Sequence, residues 1–411
     1  MDELVQFGEI VLVTSVALLL AVLSGRVAER IRIPAPAVFL VAAAVASDVV
    51  PRLGHVLSVR DVGRLGTVAL IVILFNGGVD IGWRDLRRSI APVAVLGGAG
   101  TLATAGLLTL TAHWLLGFGW LVSGVLGAAL APTDPAVMFS VLGGRELTGR
   151  ASTILQAESG ANDPVSIALM VGVLSAADRS GWAGTIATEM VVQLGIGLAV
   201  GVAGAVLAIR VLHRLTAPAG SLQPIVSLAA AGAVYGAAAT LHGSGFLAVF
   251  VAGLLLGDAE HTVQADVRAF HAELAGLAEI VVFIALGLTV HLGALRPDDA
   301  IVHGVVLVAV LGLVIRPAVT AVGLARARLS LGERAFVAWA GLRGAVPILL
   351  AAFAVVHGIP DGRAVYGIVF VAVVTSVVVQ GGLLEPVAAA AGIGVVDPRP
   401  GDDGAPRLGR R

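Results

Sequence analysis

Long apolar runs separated by short charged or Pro/Gly-rich breaks recur along the whole chain. Crossing a bilayer as a helix takes about 20 predominantly apolar residues. The pattern predicts about thirteen membrane-spanning helices, near residues 8–25, 33–48, 64–82, 90–112, 119–143, 152–177, 186–210, 222–241, 243–258, 270–293, 301–325, 333–357 and 363–390. The break at "TLHGSGF" separates two of them, spans 8 and 9. Residues 1–390 read as one all-α polytopic membrane domain. The Pro/Gly/Asp/Arg-rich residues 391–411 read as a short cytoplasmic tail without fixed structure.

Two spans carry acids where hydrocarbon should forbid them. "APTDPA" places Asp134 inside span 5, and "QAESGANDPVSIALM" places Glu158, Asn162 and Asp163 inside span 6. Asp134 followed by Pro135 has the form of a helix N-cap with proline at the first helical position. Span 5 is therefore expected to break and restart. Span 12, with "AGLRGAVPI", carries two glycines and Pro347 at the equivalent depth. Irregular backbone inside a membrane survives only where protein or a water-filled cavity covers it.

A shift of 210 residues aligns the two breaks. "PAPAVFLVAAAVASD" (34–48) falls on "SGFLAVFVAGLLLGD" (244–258), "ILFNGGVDI" (73–81) on "FIALGLTVH" (283–291), and "LAPTDPAVM" (130–138) on "AGLRGAVPI" (340–348). Thr133 thereby meets Arg343. Span 2 meets 9, 3 meets 10 and 5 meets 12. An offset of seven spans is odd, so the halves face opposite ways: two inverted six-helix repeats, with spans 5 and 12 discontinuous and crossing. Such repeats build many secondary transporters, with the substrate near the midplane.

Composition agrees with this picture and narrows it. The 411 residues are 58% hydrophobic and 13% charged, with a formal net charge of -1, so nothing points to nucleic acid. Mean hydropathy is +0.98. There is no cysteine, and all 26 basic residues are arginine. The acidic start "MDELVQFGEI" lacks the basic region of a signal peptide, so the first run is expected to be retained. Eighteen of the 26 arginines fall on one set of connections if the N-terminus lies outside and the C-terminus in the cytoplasm.

The chemistry then follows from the acids. On a helix Glu158 and Asn162 are i,i+4 partners, as are Ser159 and Asp163. The repeat puts Ile368 and Val373 opposite Glu158 and Asp163, so the acids occur in one half only. A carboxylate in low dielectric tends to hold a proton, and two close together resist joint ionisation. Asp134 and Asp163, if they converge, would exchange that proton for a small hard cation, with oxygens from Ser159 and the unwound Thr133 completing the site. No cofactor is expected. Proton and cation then compete for the same carboxylates, and that competition is the logic of exchange. Arg343, inside span 12, needs a counter-charge, and Glu158 is the nearest acid left unassigned. The expectation is a buried Glu158–Arg343 pair oriented with Asn162. Arg316, before Pro317, reads as a helix-break residue snorkelling to an interface. A channel lined with acids and an intramembrane aspartyl protease are the rival classes. The first does not need an asymmetric carboxylate pair, and the second lacks its Gly-x-Gly-Asp signature here.

"APTDPA", "ESGANDPVSIAL", "GLRGAVPI" and "LFNGGVDIGWRDL" together resemble the monovalent cation–proton antiporters of the NhaP type over essentially residues 8–390. The resemblance implies a multi-pass protein of the cell (inner) membrane that exchanges Na+, or alternatively Li+ or K+, for H+. It also implies a homodimer working by an elevator-like movement. Carried over by motif, Asp163 is the proton- and cation-binding aspartate, with Asn162 beside it. Asp134, Thr133 and Ser159 are further Na+ ligands, and Glu158–Arg343 is a stabilising pair. Asn162 before Asp163, with no lysine anywhere, favours electroneutral exchange. Asn76 departs from the family, many of whose members carry an acid in this "F-x-G-G" motif.

Overall fold

The computed structural model describes residues 34–54, 56–87, 89–134, 137–138, 146–147, 150–177, 182–214, 222–258, 261–295, 299–327 and 329–396, with Gly8, Leu12, Ser15 and Leu19. Most of the first expected span, the end of the fifth and residues 397–411 of the tail lie outside the described residues.

Helices occupy all the other expected spans. They are α1 (Ala35–Val49), α2 (Val59–Leu86), α3 (Ile90–Trp114), α4 (Trp120–Leu130), α5 (Arg150–Ala176), α6 (Trp182–Arg214) and α7 (Gln223–Thr240). There follow α8 (Gly245–Leu256), α9 (His261–Leu288), α10 (Ala300–Gly323), α11 (Leu331–Trp339), α12 (Ala345–Val356), α13 (Gly362–Gly381) and α14 (Leu384–Ala390). Among the described residues, six helices are long and apolar enough to cross a membrane, and α1, α4, α8 and α12 are shorter apolar helices. Apart from one two-residue strand pair the described chain is helical. In that pair Glu146–Leu147 runs antiparallel to Val395–Val396. These last residues belong to the segment read as the tail, and Gly392, at φ 70°, turns the chain after α14 ahead of the pair.

Local sequence explains the helix starts and kinks. Ser58 and Asp61 form a capping box at the start of α2, which satisfies amide groups that the first turn leaves free. At Gly82 (φ 66°) α2 kinks, a conformation open to glycine without steric cost. Just beyond, the Arg84 amide donates to the Asp258 carboxylate over 2.9 Å. π-Helical turns interrupt α3 at Ala94–Gly100, α10 at Leu311–Ile315 and α13 at Ser376–Gly381. Such turns cluster at functional sites because they re-aim the side chains that follow.

Small residues let the helices approach closely where lipid offers no hydrophobic drive to pack them. A Cβ at Gly78 of α2 would lie 2.5 Å from the Phe250 carbonyl and 2.8 Å from the Leu254 amide of α8. A Cβ at Gly287 of α9 would meet the Leu40 carbonyl and lie 3.2 Å from the Ala44 amide of α1. Phe250 and Leu254 are Leu40 and Ala44 shifted by 210 residues. The polar ends match too: Asp258 after α8 accepts from Arg84 near the end of α2, and Asp48 of α1 accepts from the Leu292 amide just after α9.

Candidate ion site at two unwound segments

Helix α4 stops at Leu130, and residues 131–134 run without helical structure; α11 stops at Trp339, and α12 restarts at Ala345. The two irregular segments are joined directly, because the Asp134 amide donates to the Leu342 carbonyl over 2.9 Å. Backbone donors and acceptors released by the breaks thus find each other instead of facing lipid.

The Asp134 carboxylate lies at the start of α12 and accepts from the Ala345 amide at 3.4 Å. Its negative charge is placed against the positive end of that half-helix, where unsatisfied amides gather. The sequence suggested that Asp134 caps a helix of its own after Pro135. The described contact is with the partner segment, and Pro135 lies outside the described residues. Gly344 precedes α12 for a steric reason: a Cβ there would collide with the Asp134 carboxylate.

Arg343 serves the opposite pole. It is 1% exposed, and its guanidinium donates from Nη1 to the Gly341 carbonyl over 2.7 Å, while its amide donates to Ser376 Oγ at 3.2 Å. A cation here lies just past the C-terminal end of α11, where the helix dipole favours positive charge. The expected Glu158–Arg343 pair does not form. Glu158, also 1% exposed, is held by Arg316, with Oε1 2.5 Å from Nη1 and Oε2 2.8 Å from Nη2. The reason lies in register. The π turn Leu311–Ile315 ends directly before Arg316 and lets α10 present it inward, whereas Arg343 folds back onto its own unwound chain. Arg316 is consequently buried at 4% exposure rather than snorkelling. The available signal was that one buried glutamate had two arginines inside spans competing for it.

Helix α5 brings the remaining groups. Pro164 lies inside this helix. Asn162 donates from Nδ2 to Thr133 Oγ1 over 2.8 Å, and Thr133 Oγ1 is 2.9 Å from Ser159 Oγ. This chain of hydroxyls and amide fastens the unwound segment to α5. Close packing behind it comes from the π turn of α3: a Cβ at Gly97 would lie 3.1 Å from the Glu158 carbonyl and 3.6 Å from the Asn162 amide. Asp163 is 6% exposed, and its Oδ1 has no hydrogen-bond partner among the described residues. It lines a cavity of about 70 Å³ together with Asp134, Ser159, Gln156 and Glu279. That space exceeds the minimum that a single water needs, so it admits a small ion.

Three of the four expected cation ligands, Asp134, Ser159 and Asp163, therefore share one cavity, while the Thr133 hydroxyl is engaged by Ser159 and Asn162. Among the described residues no three His, Cys, Asp or Glu side chains close around a single point as a multivalent metal site would require. Asn76 turns its amide to Asp80 Oδ2 at 3.0 Å and is absent from the cavity wall. Gln156 is a wall residue that the sequence did not single out, and Glu279, which along the sequence could face a cavity or mark the polar edge of span 10, lies on the wall.

Known proteins resemble this chain in sequence and in fold. The model of the transmembrane sodium/hydrogen exchanger family matches residues 15–390. The K(+)/H(+) antiporter NhaP of Alkalimonas amylolytica is 33% identical over 385 residues, 92% of this chain and 66% of that protein. The low-affinity Na(+)/H(+) antiporter NhaS1 of Synechocystis is 24% identical over 333 residues, covering 75% of this chain and 61% of the relative. The chain thus spans about two thirds of the length of the curated relatives it matches. The solved sodium proton antiporter MjNhaP1 of Methanocaldococcus jannaschii superposes with a TM-score of 0.77 at 22% identity, covering 93% of this chain and all of that one, and so shares its fold. With its family match running through both broken helices and the acids between them, the chain belongs to the transmembrane sodium/hydrogen exchanger family.

Proposed function

We propose that this protein is a secondary antiporter that exchanges one monovalent cation for one proton across the cell membrane. The observation that carries the reading is Asp163: a shielded carboxylate with an unpartnered oxygen, on a cavity it shares with Asp134 where two broken helices cross. A buried carboxylate without a partner must take a proton or a cation. It cannot hold both, so loading one releases the other. Asn162 and Ser159 keep the unwound Thr133 segment in place beside it, and the Glu158–Arg316 pair holds α5 against α10.

Two inverted repeats fit the paired contacts of α2 with α8 and of α9 with α1, and the π turns in both α3 and α10. In this reading the N-terminus lies outside and the C-terminus in the cytoplasm. Two copies form a homodimer, and the crossing helices move as an elevator between the two faces. Sodium is the first cation to test. Potassium has its own support, since the Alkalimonas relative and that of Shewanella baltica are both named K(+)/H(+) antiporters.

The test is exchange by purified protein in proteoliposomes, read with a pH-sensitive dye after jumps of sodium, potassium or lithium chloride. Wild type should exchange at least one of them. Folded Asp163→Asn should not exchange any, because an amide cannot alternate its charge, and Asp134→Asn should raise the apparent KM. Exchange by folded Asp163→Asn at the wild-type rate would overturn the reading.

A further inference from the structure

The wall of the ion cavity is mixed. Asp134, Gln156, Ser159 and Asp163 bring oxygen to it, whereas α2 contributes no polar side chain, only residues such as Leu70 and Leu74, and α8 contributes Phe250. One further acid lines it: Glu279 of α9. It is half-buried, its Oε1 is shielded from solvent, and that oxygen has no hydrogen-bond partner among the described residues. Glu279 lies within Coulombic reach of Asp134. A carboxylate oxygen shielded from solvent, beside a second carboxylate and without a hydrogen bond, is the mark of a group kept for a ligand.

Three acids do not converge on one point here, so Glu279 is not another inner ligand beside Asp163. We propose that Glu279 is a second cation station: a carboxylate that draws the monovalent cation into the cavity and holds it near Asp134 before it reaches Asp163. The shielded Oδ1 of Asp163, on the same cavity, supplies the independent sign that a ligand enters it. Low-dielectric walls focus the field of such a charge, which raises the local cation concentration. The station takes the same cation that Asp163 then carries, so it alters affinity and leaves the exchange ratio alone. The α2 residues on the wall carry no charge, and α9 takes that part.

This inference rests on the antiporter reading, and the experiment separates the two. Sodium and potassium titrations of exchange are run on wild type, Glu279→Gln, Glu279→Leu and the control Glu273→Gln, an exposed position on the same helix. Absence of exchange in wild type would count against the antiporter reading itself. With wild type active, Glu279→Gln should raise the cation KM about tenfold, with a much smaller change in maximal rate, and Glu273→Gln should not. Glu279→Leu should shift KM at least as far and unfold at a temperature no lower than wild type. An unchanged KM in folded Glu279→Gln would overturn the proposal. So would a collapse of maximal rate at constant KM, which would make Glu279 a proton carrier. If neither variant folds, Glu279 is structural and the proposal falls.

Discussion

Removing Arg316 should damage the protein more than its place in the sequence suggests. Arg316→Ala strips Glu158 of both of its hydrogen bonds, at 2.5 and 2.8 Å, and leaves a carboxylate that is 1% exposed. Breaking a buried pair by removing one partner costs about 3–5 kcal/mol, because the other charge stays behind uncompensated. An unfolding entropy of about 2.1 cal/mol/K per residue amounts to roughly 0.9 kcal/mol/K for a chain of this length, so the expected loss is about 4–6 °C in apparent Tm. Glu158→Ala should cost a similar amount. The double variant should lose clearly less than the sum, with a coupling of about 2 kcal/mol or more within the range for residues in contact. Arg343→Ala serves as the comparison: it removes the bond to Gly341 O, and because Arg343 makes no hydrogen bond to Glu158, its coupling to Glu158→Ala should be clearly smaller than that of Arg316. The assay is the unfolding midpoint of detergent-purified protein, read by intrinsic fluorescence and by survival of the monodisperse peak. Strict additivity between Arg316 and Glu158, or stronger coupling of Glu158 to Arg343, would refute the pairing.

Two further outcomes follow from the same geometry. Gly344→Ala places a methyl group on the Asp134 carboxylate, so it should raise the cation KM severalfold in transport assays even where the protein still folds, and wild-type KM would mean that Asp134 is not held against α12. One carboxylate that alternates between proton and cation carries no net charge per cycle, whereas a net charge would be worth about 2.3 kcal/mol per 100 mV; sodium–proton exchange should therefore ignore an imposed potassium–valinomycin potential, and a sustained current on a sodium jump would contradict one-for-one exchange.

Much of this was legible in the chain because a bilayer constrains sequence more tightly than water does. Each span must be apolar and must satisfy its own backbone, so the spans, the two breaks and the acids that had no business in hydrocarbon all stood out in one dimension. Glu158, Asn162 and Asp163 needed only helical periodicity to be placed on adjacent faces of one helix. Pairing was different. Which arginine reaches Glu158 depends on how α10 is rotated, and a single π turn before Arg316 sets that rotation without leaving an obvious mark in the residues around it. Whether Asp134 caps the helix that follows it or the one that crosses it depends on how closely two unwound segments approach, which Gly344 permits and no local propensity reports. Glu279 could have faced a cavity or marked the polar edge of a span, because along the sequence an acid on a cavity and an acid at an interface have the same neighbours. Local periodicity determines what each helix can bury. Only the packing of helices far apart in sequence decides which charges meet, because Coulomb and hydrogen-bond energies depend on ångströms in space rather than on residues along the chain.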